Sequence, residues 1–567
     1  MSTRAERGAA PVVLGIDYGT ESGRALLVDA RDGSELGSAV SAYSNAVLDR
    51  ALPDGTPLPP DFALQDPDDY LRVLDAIPGL LRSTGIQPEQ VIGIGTDFTA
   101  CTVLPTRADG TPLCRLGEFR SNPHAWVKLW KHHAAQPQAD RINELGGRRR
   151  EEFIARYGGR YSAEWLFSKL LETLEKAPAV YRAAERFLEA ADWIIWQLCG
   201  QERRNTCTAG YKAMWFPDAG GFPARDFFAG LNPDFADAAA KLAARYYALG
   251  SAAGGLTPAM AERTGLRPGT PVAVGNVDAH GAVPACTVVE PGRMVMIMGT
   301  SICHMLLGDD KRMVEGMCGV VRDGIIPGTW GYEAGQSAVG DIFAWFFRAA
   351  VPESAAAAAR AAGQPLPDWL EAQARRLAPG ESGLLALDWW NGNRSILVNH
   401  HLSGLLLGCT LQTQPQEIYR ALLEATAFGT LAIIEAMEQA GVPVRELVAC
   451  GGLPNRNPLL MQIYADVAGR EIHVAASEQT CALGAAMHAA VAAGADRGGY
   501  ADIRQAAQAM ARLRPQSFRP DAAAHAVYRD LYREYLALHD YFGRGANPVM
   551  ARLRRLRLER HAAGAAS

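Results

Sequence analysis

The stretch LGIDYGT at residues 14–20 decides the fold, because it recurs in a related form as MVMIMGTS at residues 294–301. In each case an apolar run ends at Gly-Thr, and a second apolar run follows, at residues 24–28 and 303–307. Two apolar runs joined by a tight turn predict a β-hairpin. A Gly-Thr turn offers backbone N–H groups and a hydroxyl without a bulky side chain, which suits phosphate oxygens. The pair of hairpins therefore predicts a nucleotide held between two related halves.

The two turns differ in the residue that precedes them. The first has Asp17 two residues before Gly19, whereas the second has Ile297 at the matching place. A carboxylate that faces a polyphosphate is repulsive unless a cation lies between them, so Asp17 predicts a hydrated Mg2+. The apolar second turn predicts direct backbone N–H contacts. For either turn taken alone, an ordinary hairpin is the alternative, since short motifs often match by chance.

Length and composition limit the function classes. The chain has 567 residues and a net charge of −5, so we expect two sizeable domains and neither nucleic acid nor a membrane surface as partner. Residues 1–11 lack the apolar core of a signal peptide and no long apolar run follows, which favours a cytoplasmic location. Ten cysteines without a Cys-x-x-Cys pair favour reduced, mostly buried thiols over a zinc site or a disulfide framework.

The apolar pattern of the first half alternates strands with helices. An amphipathic helix is predicted over 67–83, and a buried strand over 91–95. Residues 122–250 are richer in Trp and Tyr and show helical spacing at 126–133, 164–175 and 179–198. We interpret that region as a helical elaboration that carries substrate specificity.

The second half shows the same alternation of strands and helices after its own hairpin. The predicted elements are helices over 340–350, 415–441 and 481–494, and a strand over 447–450. A domain change is placed near Pro291-Gly292. The expected organisation is a first domain over 12–290, a second domain over 291–545, and terminal tails at 1–11 and 546–567.

A third glycine element replaces the phosphate motifs of other folds. No Gly-Lys-Ser or Gly-Lys-Thr is present, which excludes a Walker loop, and no Gly-x-Gly-x-x-Gly follows a strand. Gly451 and Gly452 end an apolar strand, where two glycines let the backbone approach a flat ligand such as adenosine. Asn457 and Pro458 then fit the N-cap and first position of a helix. A well-capped connection between strand and helix is the alternative.

Asp278 follows a strand and begins a predicted helix shortly before the second hairpin. It is a candidate general base for a substrate hydroxyl, while a simple N-cap is the alternative. Phosphoryl transfer asks for little beyond orienting that hydroxyl and screening charge, so an aspartate of ordinary pKa suffices. Lys212, Glu333, and Asp97 with Thr99 are further polar residues in apolar or Gly-rich contexts, and a surface position is the alternative for each.

These motifs together resemble a known family. The set Asp17-x-Gly19-Thr20, Gly299-Thr300, Gly451-Gly452 and Asp278 resembles the FGGY family of sugar kinases, within the actin, hexokinase and heat-shock ATPase superfamily. Three longer strings, at residues 122–131, 333–341 and 387–392, are similar to the members that act on L-ribulose. The similarity extends from about residue 12 to residue 541. It implies an α/β fold of two actin/hexokinase-like (ribonuclease H-like) domains with the active site in the cleft between them.

The resemblance also implies roles for individual residues. Asp278 would be the general base that accepts the proton of the terminal hydroxyl of L-ribulose. The implied sugar-contact positions are Ala100, Lys212, Asp278 and Glu333. The implied ATP-binding positions are Gly19, Thr20, Arg24, Gly299, Thr300, Gly452 and Asn457. Asp17 would approach the magnesium ion of ATP through water. Glu21 stands where relatives such as glycerol kinases have a hydroxyl residue, which argues against phosphate binding by its side chain.

The implied reaction converts ATP and L-ribulose into ADP and L-ribulose 5-phosphate, as in bacterial arabinose breakdown, with two domains closing over both ligands. The resemblance suggests a homodimer. Two alternatives stay open: a kinase of another pentulose, such as D-ribulose or xylulose, and a non-metabolic ATPase switch of the actin or heat-shock type. Sugar-dependent ADP release separates the kinases from the switch.

Overall fold

The computed structural model describes residues 10–565, without the side chains of 558 and 561–565. Most of the expected N-terminal tail, residues 1–9, lies outside the described residues, as do residues 566–567. The described chain forms two α/β lobes, each built around a mixed sheet. Among the described helices, none has the length and apolarity that crossing a bilayer requires.

The first lobe carries the first predicted hairpin. Its strands are β1 (Val12–Tyr18), β2 (Ser22–Asp29), β3 (Glu35–Ala42), β4 (Leu64–Gln65), β5 (Val91–Phe98), β6 (Val103–Thr106), β7 (Val127–Lys128), β8 (Arg186–Glu189), β9 (Arg204–Asn205), β10 (Tyr246–Tyr247), β11 (Ala252–Gly255), β12 (Pro271–Ala273) and β13 (Asn276–Val277). Its helices are α1 (Pro67–Val73), α2 (Ile77–Thr84), α3 (Gln136–Arg149), α4 (Glu152–Arg156), α5 (Leu166–Lys176), α6 (Pro178–Ala183), α7 (Ala190–Cys199), α8 (Thr206–Lys212), α9 (Arg225–Leu231), α10 (Pro258–Thr264) and α11 (Asp278–Ala285).

The sheet of the first lobe has the order β11-β12-β5-β1-β2-β3, and β13 also pairs with β5. The predicted hairpin is confirmed, since β1 runs antiparallel to β2. The turn is closed by the Gly19 N–H, which donates to the Ser22 carbonyl at 3.0 Å. The predicted helix over 67–83 is also confirmed, with a 3-10 turn at 74–76 between α1 and α2.

Two predicted helices of the elaboration are wrong in part. Residues 126–133 contain the short strand β7 and turns. Lys128 of this segment forms a buried ion pair, in which its Nζ donates to Glu172 Oε2 at 2.5 Å. Residues 179–198 form a helix, strand β8 and a second helix, because a short apolar run such as 187–188 fits a strand as well as a helix.

The second lobe carries the second hairpin. Its strands are β14 (Arg293–Met298), β15 (Ile302–Gly308), β16 (Gly319–Arg322), β17 (Trp330–Gln336), β18 (Leu385–Leu387), β19 (Leu405–Leu407), β20 (Glu446–Cys450) and β21 (Ile472–Val474). Its helices are α12 (Gly340–Ala349), α13 (Glu353–Ala361), α14 (Leu366–Ala374), α15 (Pro415–Gln439), α16 (Gly452–Arg456), α17 (Pro458–Ala468), α18 (Thr480–Ala493), α19 (Ile503–Met510), α20 (Ala522–Gly543) and α21 (Val549–Ala565).

The sheet of the second lobe has the order β16-β17-β15-β14-β20-β21. Strands β14 and β15 are antiparallel, which confirms the second hairpin. Helices α12, α15 and α18 lie within two residues of their predicted bounds. All ten cysteines are free, and seven of them are buried.

The lobes are joined by an exchange of helices. Helix α18 follows the second sheet in sequence but packs on β1 and β5 of the first sheet, whereas α11 contacts β14 and β15 of the second. A Cβ atom at Gly15 would lie 1.9 Å from the Ala482 carbonyl oxygen, so glycine is needed for this close approach. The two helices meet at Gly484, where a Cβ atom would lie 1.8 Å from the Gly281 carbonyl oxygen. The Ala-rich composition of α18 follows from this crowding.

Candidate active site

The first Gly-Thr turn is held by Gln65 of β4 and by Trp130 of the helical elaboration. The Thr20 carbonyl accepts a hydrogen bond from Gln65 Nε2 at 2.7 Å, and the Thr20 hydroxyl oxygen accepts one from the Trp130 indole N–H at 3.1 Å. Because the hydroxyl serves as an acceptor here, its own hydrogen is available to donate to a ligand. The side chain of Glu21 is exposed.

The second Gly-Thr turn presents its backbone N–H groups away from helix α12. The Thr300 carbonyl accepts from the Val339 N–H at 2.8 Å, and the Gly299 carbonyl accepts from the Gly340 N–H at 3.2 Å. In a trans peptide the N–H points opposite to the carbonyl, so the N–H of Thr300 points away from the helix. Gly299 and Thr300 are both exposed. The Thr300 N–H can therefore donate to a ligand, whereas the Gly299 N–H donates to the Ser301 carbonyl at 2.9 Å within the turn.

The Gly-Gly element lies beside this second turn. Gly451 has φ = 96°, and a Cβ atom there would lie 2.5 Å from the carbonyl oxygen of Met298, the last residue of β14. Gly452 is exposed at the start of α16. The predicted cap is confirmed, because Asn457 Oδ1 accepts from the Leu460 N–H at 2.8 Å. The Asn457 amide nitrogen donates to the Tyr419 hydroxyl at 2.8 Å, so both polar ends of this side chain have protein partners.

Three carboxyl groups lie close together between the lobes. Asp17 and Asp97 are paired positions on the parallel strands β1 and β5. Asp97 is fully buried, and neither of its oxygens has a hydrogen-bond donor among the described residues. Burial and then the charge of Asp17 raise the pKa of Asp97 well above its usual range. Burial raises the pKa of Asp17 as well. A hydrogen bond with the Asp97 carboxyl group and the positive charge of the cross-strand neighbour Arg24 oppose that rise.

Asp278 is the third carboxyl group. It is the first residue of α11, so the N-cap is Val277 and the alternative of a simple cap is wrong. One oxygen accepts from the Ala279 N–H at 2.6 Å, and the residue is only half-buried. Burial, reinforced by the charge of Asp17, raises the pKa of Asp278 to about 7. The expectation of an ordinary pKa is therefore corrected, and the carboxylate is a stronger base than a free aspartate.

A buried ion pair across the lobes lies next to Asp278. Lys212 Nζ donates to the two oxygens of Glu333 at 2.9 and 2.8 Å. His280 Nε2 lies 3.4 Å from Glu333 Oε2. Burial opposes both charges, but each partner stabilises the other, so the pKa of Lys212 is raised and that of Glu333 is lowered. Burial lowers the pKa of His280, which keeps the imidazole neutral near pH 7.

The loop that contains Ala100 borders this pair. Ala100 is half-buried, and the next residue, Cys101, has φ = 58°. A non-glycine residue in this left-handed region is held there by its surroundings. Here the buried Lys169 ammonium donates to the Cys101 carbonyl, and to the Leu129 carbonyl at 2.8 Å. The structure thus brings Asp17, Asp278 and the ion pair together, with Ala100 at their edge.

Two of the longer strings meet in the core of the second lobe. Gln336 Nε2 donates to Asp388 Oδ2 at 2.8 Å and to the Thr426 carbonyl at 2.9 Å. Asp388 Oδ1 accepts from the Tyr535 hydroxyl at 2.9 Å. These residues stabilise the strand that presents Glu333. Part of the similarity of the strings at 333–341 and 387–392 therefore reflects packing of the core.

Sequence reasoning missed Arg394, which lies against this site. A Cβ atom at Gly335 would lie 3.1 Å from Arg394 Cδ and 3.4 Å from its Nη1. The only sequence signal for Arg394 is its place directly after the string at 387–392.

Two lobes built on the same hairpin, with a half-buried carboxyl group and a buried ion pair between them, are typical of a kinase that acts on a small polar molecule. Two family models match the chain: the N-terminal domain of the FGGY family of carbohydrate kinases over residues 12–283, and its C-terminal domain over 294–493. The chain belongs to the FGGY family of carbohydrate kinases.

Curated relatives cover nearly the whole chain. It is 56% identical over 545 residues to the ribulokinase of Geobacillus thermodenitrificans, covering 96% of each chain. It is 52% identical over 555 residues to the ribulokinase of Mycolicibacterium smegmatis, covering 97% of each. It is 36% identical to the ribulokinase of Staphylococcus aureus strain Newman, covering 96% of this chain and 99% of that one.

Solved structures show the same fold at lower identity. The gluconate kinase of Lactobacillus acidophilus matches with a TM-score of 0.77 at 16% identity, over 94% of this chain and 99% of that one. The xylulose kinase of Rhodospirillum rubrum matches with a TM-score of 0.73 at 22% identity, over 93% and 98%. The expected two-domain sugar-kinase fold of the actin/hexokinase type is therefore confirmed.

Proposed function

We propose that this carbohydrate kinase transfers the γ-phosphoryl group of ATP to the terminal hydroxyl of L-ribulose, giving L-ribulose 5-phosphate in L-arabinose breakdown. The observation that carries the proposal is the half-buried Asp278, whose pKa is raised to about 7 by burial and by the charge of Asp17. The names of the curated relatives, which are ribulokinases, favour ribulose over xylulose, and the similarity of the three longer strings is our reason for choosing the L enantiomer.

Asp278 accepts the proton of the terminal hydroxyl as that oxygen attacks the γ-phosphorus. A base with a pKa near the working pH combines sufficient basicity with a large deprotonated fraction. The sugar lies against Lys212, Glu333 and Ala100. Because Lys212 and Glu333 are already paired, the sugar meets a donor and an acceptor that are fixed in place before it binds.

ATP lies between the two Gly-Thr turns in this proposal. Gly19, Thr20 and Arg24 contact it from the first lobe, and Gly299, Thr300, Gly452 and the backbone around Asn457 from the second. Mg2+ would screen the phosphate charge and would be held by Asp17 through water, since kinase-bound Mg2+ takes few carboxylates and keeps several waters. The half-buried Asp17 carboxylate, with Arg24 as its cross-strand neighbour, fits that arrangement.

The organisation around the site completes the proposal. We place the domain change near Pro291-Gly292. Residues 12–290 then supply the first turn and most of the sugar site, and residues 291–545 supply Glu333 and most of the nucleotide site. Closure of the lobes excludes water that would otherwise hydrolyse ATP. We also propose a homodimer.

A coupled ADP-release assay tests the substrate assignment. The panel is L-ribulose, D-ribulose, both xyluloses and glycerol, with a control that contains ATP alone. We expect the highest kcat/KM for L-ribulose and negligible ADP release without sugar. A higher kcat/KM for another pentulose would assign that sugar instead, and equal ADP release without any sugar would support an ATPase switch.

A further inference from the structure

Arg394 is the strongest polar group near the site that the proposed mechanism leaves unused. Within residues 10–565 its guanidinium makes no hydrogen bond and no ion pair. Burial opposes its charge, but the carboxylates of Glu164 and Glu333 help to raise its pKa above the usual value, so it stays cationic. The side chain is half-buried, so its five N–H donors are accessible to a ligand with acceptor atoms.

The position of Arg394 follows from strand β17. Its Cδ would lie 3.1 Å from a Cβ atom at Gly335. Glu333 is two residues earlier in the same strand, so Glu333 and Gly335 share one face of the sheet. Arg394 therefore lies beside Glu333 on the wall that faces the first lobe.

The Lys212–Glu333 pair lies near both Asp278 and Arg394. The charges of Glu333 and Lys212 act on Asp278, and His280 Nε2 is 3.4 Å from Glu333 Oε2. Glu333 accepts from Lys212, and its charge also acts on Arg394. We infer that a sugar whose terminal hydroxyl is at Asp278 and whose middle contacts the ion pair directs its other end toward Arg394.

The ligand chemistry follows from the charges around the guanidinium. Glu164 of the first lobe and Glu333 of the second both act on it, and this acidic surrounding disfavours a phosphate. Neutral hydroxyl and carbonyl oxygens are good acceptors for guanidinium N–H groups and meet no such repulsion.

We propose that Arg394 is a specificity-determining residue, which donates hydrogen bonds to the pentulose oxygens at the end opposite the reacting hydroxyl. This inference rests on the proposed function and adds a residue to the same site. It also explains why the chain places a cation next to the string at 387–392, on a segment that touches the first lobe through Arg160 Nη1 and the Val398 carbonyl at 3.3 Å.

The test combines enzyme variants with a trimmed substrate. Kinetics are measured for wild type, Arg394→Met and Arg394→Lys with L-ribulose and with 1-deoxy-L-ribulose, which lacks the hydroxyl at the far end. Arg348→Met, at an exposed position of α12, is the matched control. Wild type is expected to prefer L-ribulose by about tenfold or more, since a hydrogen bond to a charged group is at stake.

For Arg394→Met we expect a KM for L-ribulose raised about 10- to 100-fold, a KM for ATP within about twofold of wild type, and a preference over the 1-deoxy sugar reduced to about twofold. Arg348→Met should match wild type in all three. A retained preference, or an increase in the KM for ATP alone, would overturn the proposal, the latter by indicating a phosphate contact.

Arg394→Lys keeps the test decisive if the methionine variant fails to fold by circular dichroism. Lysine retains the charge but lacks the planar fork of donors, so a partial loss of the preference is expected, and an unchanged preference contradicts the proposal. Failure of the proposed function is distinguishable, because wild type would then prefer another pentulose. The same comparison with that sugar and its 1-deoxy form would still test Arg394.

Discussion

Removal of the Lys212 ammonium should destabilise the whole protein, because it leaves a buried carboxylate without its partner. Lys212 is 4% exposed and Glu333 is 7% exposed. Breaking a buried pair in this way costs about 3–5 kcal/mol. The entropy of unfolding is about 2.1 cal/mol/K per residue. For a cooperative transition of 567 residues, this loss of unfolding free energy corresponds to a Tm decrease of about 3–4 °C.

The assay is differential scanning calorimetry of Lys212→Met, Glu333→Gln and the double variant at pH 7.5. Glu333 has a lowered pKa and contributes stability above its ordinary value of 4.5, whereas Lys212 has a raised pKa and contributes below its ordinary value of 10.5, so both are charged at this pH. The double variant removes both charges and should recover more than half of the loss. An unchanged Tm for Lys212→Met, or additive losses in the double variant, would refute the reasoning.

Three further predictions concern pH, helix packing and the first turn. Because burial raises the pKa of Asp278 to about 7, log kcat/KM for the pentulose should fall with unit slope as the pH drops below a midpoint near 7. A flat profile from pH 5 to 8 would contradict this. Gly484→Val should lower the Tm by several degrees, whereas Gly117→Ala, where a Cβ atom meets nothing within 4 Å, should not; equal effects in calorimetry would contradict the packing of α18 on α11. Trp130→Phe removes the N–H that holds Thr20 and should raise the KM for ATP about fivefold without changing the KM for the pentulose, and the reverse pattern would be inconsistent with the assigned turn.

The sequence predicted those parts of the site that depend on interactions between residues close in sequence. The hairpins that end at Thr20 and Thr300 follow from apolar runs broken by Gly-Thr, and both are confirmed. The Asn457 cap follows from an Asn-Pro pair and is also confirmed. These features depend on neighbours within a few residues, which a single sequence shows directly.

The other features of the fold and of the site depend on contacts between segments that are distant in sequence. The packing of α18 on the first sheet pairs Gly15 with Ala482, more than 400 residues apart, and no periodicity reveals such a pairing. The raised pKa of Asp278 comes from burial beside Asp17, which spacing cannot show. Arg394 is one of many arginines in a chain with 56 basic residues, and only the fold places it next to the site.

The proposed reaction depends on deprotonation of a sugar hydroxyl by Asp278, in the cleft between the two lobes. Its most direct measurement compares turnover and MgATP binding in wild type and Asp278→Asn, by the coupled ADP assay and by isothermal titration calorimetry. We expect kcat to fall by about 100- to 10,000-fold, with the Kd for MgATP within about twofold. Turnover close to that of wild type would contradict the account.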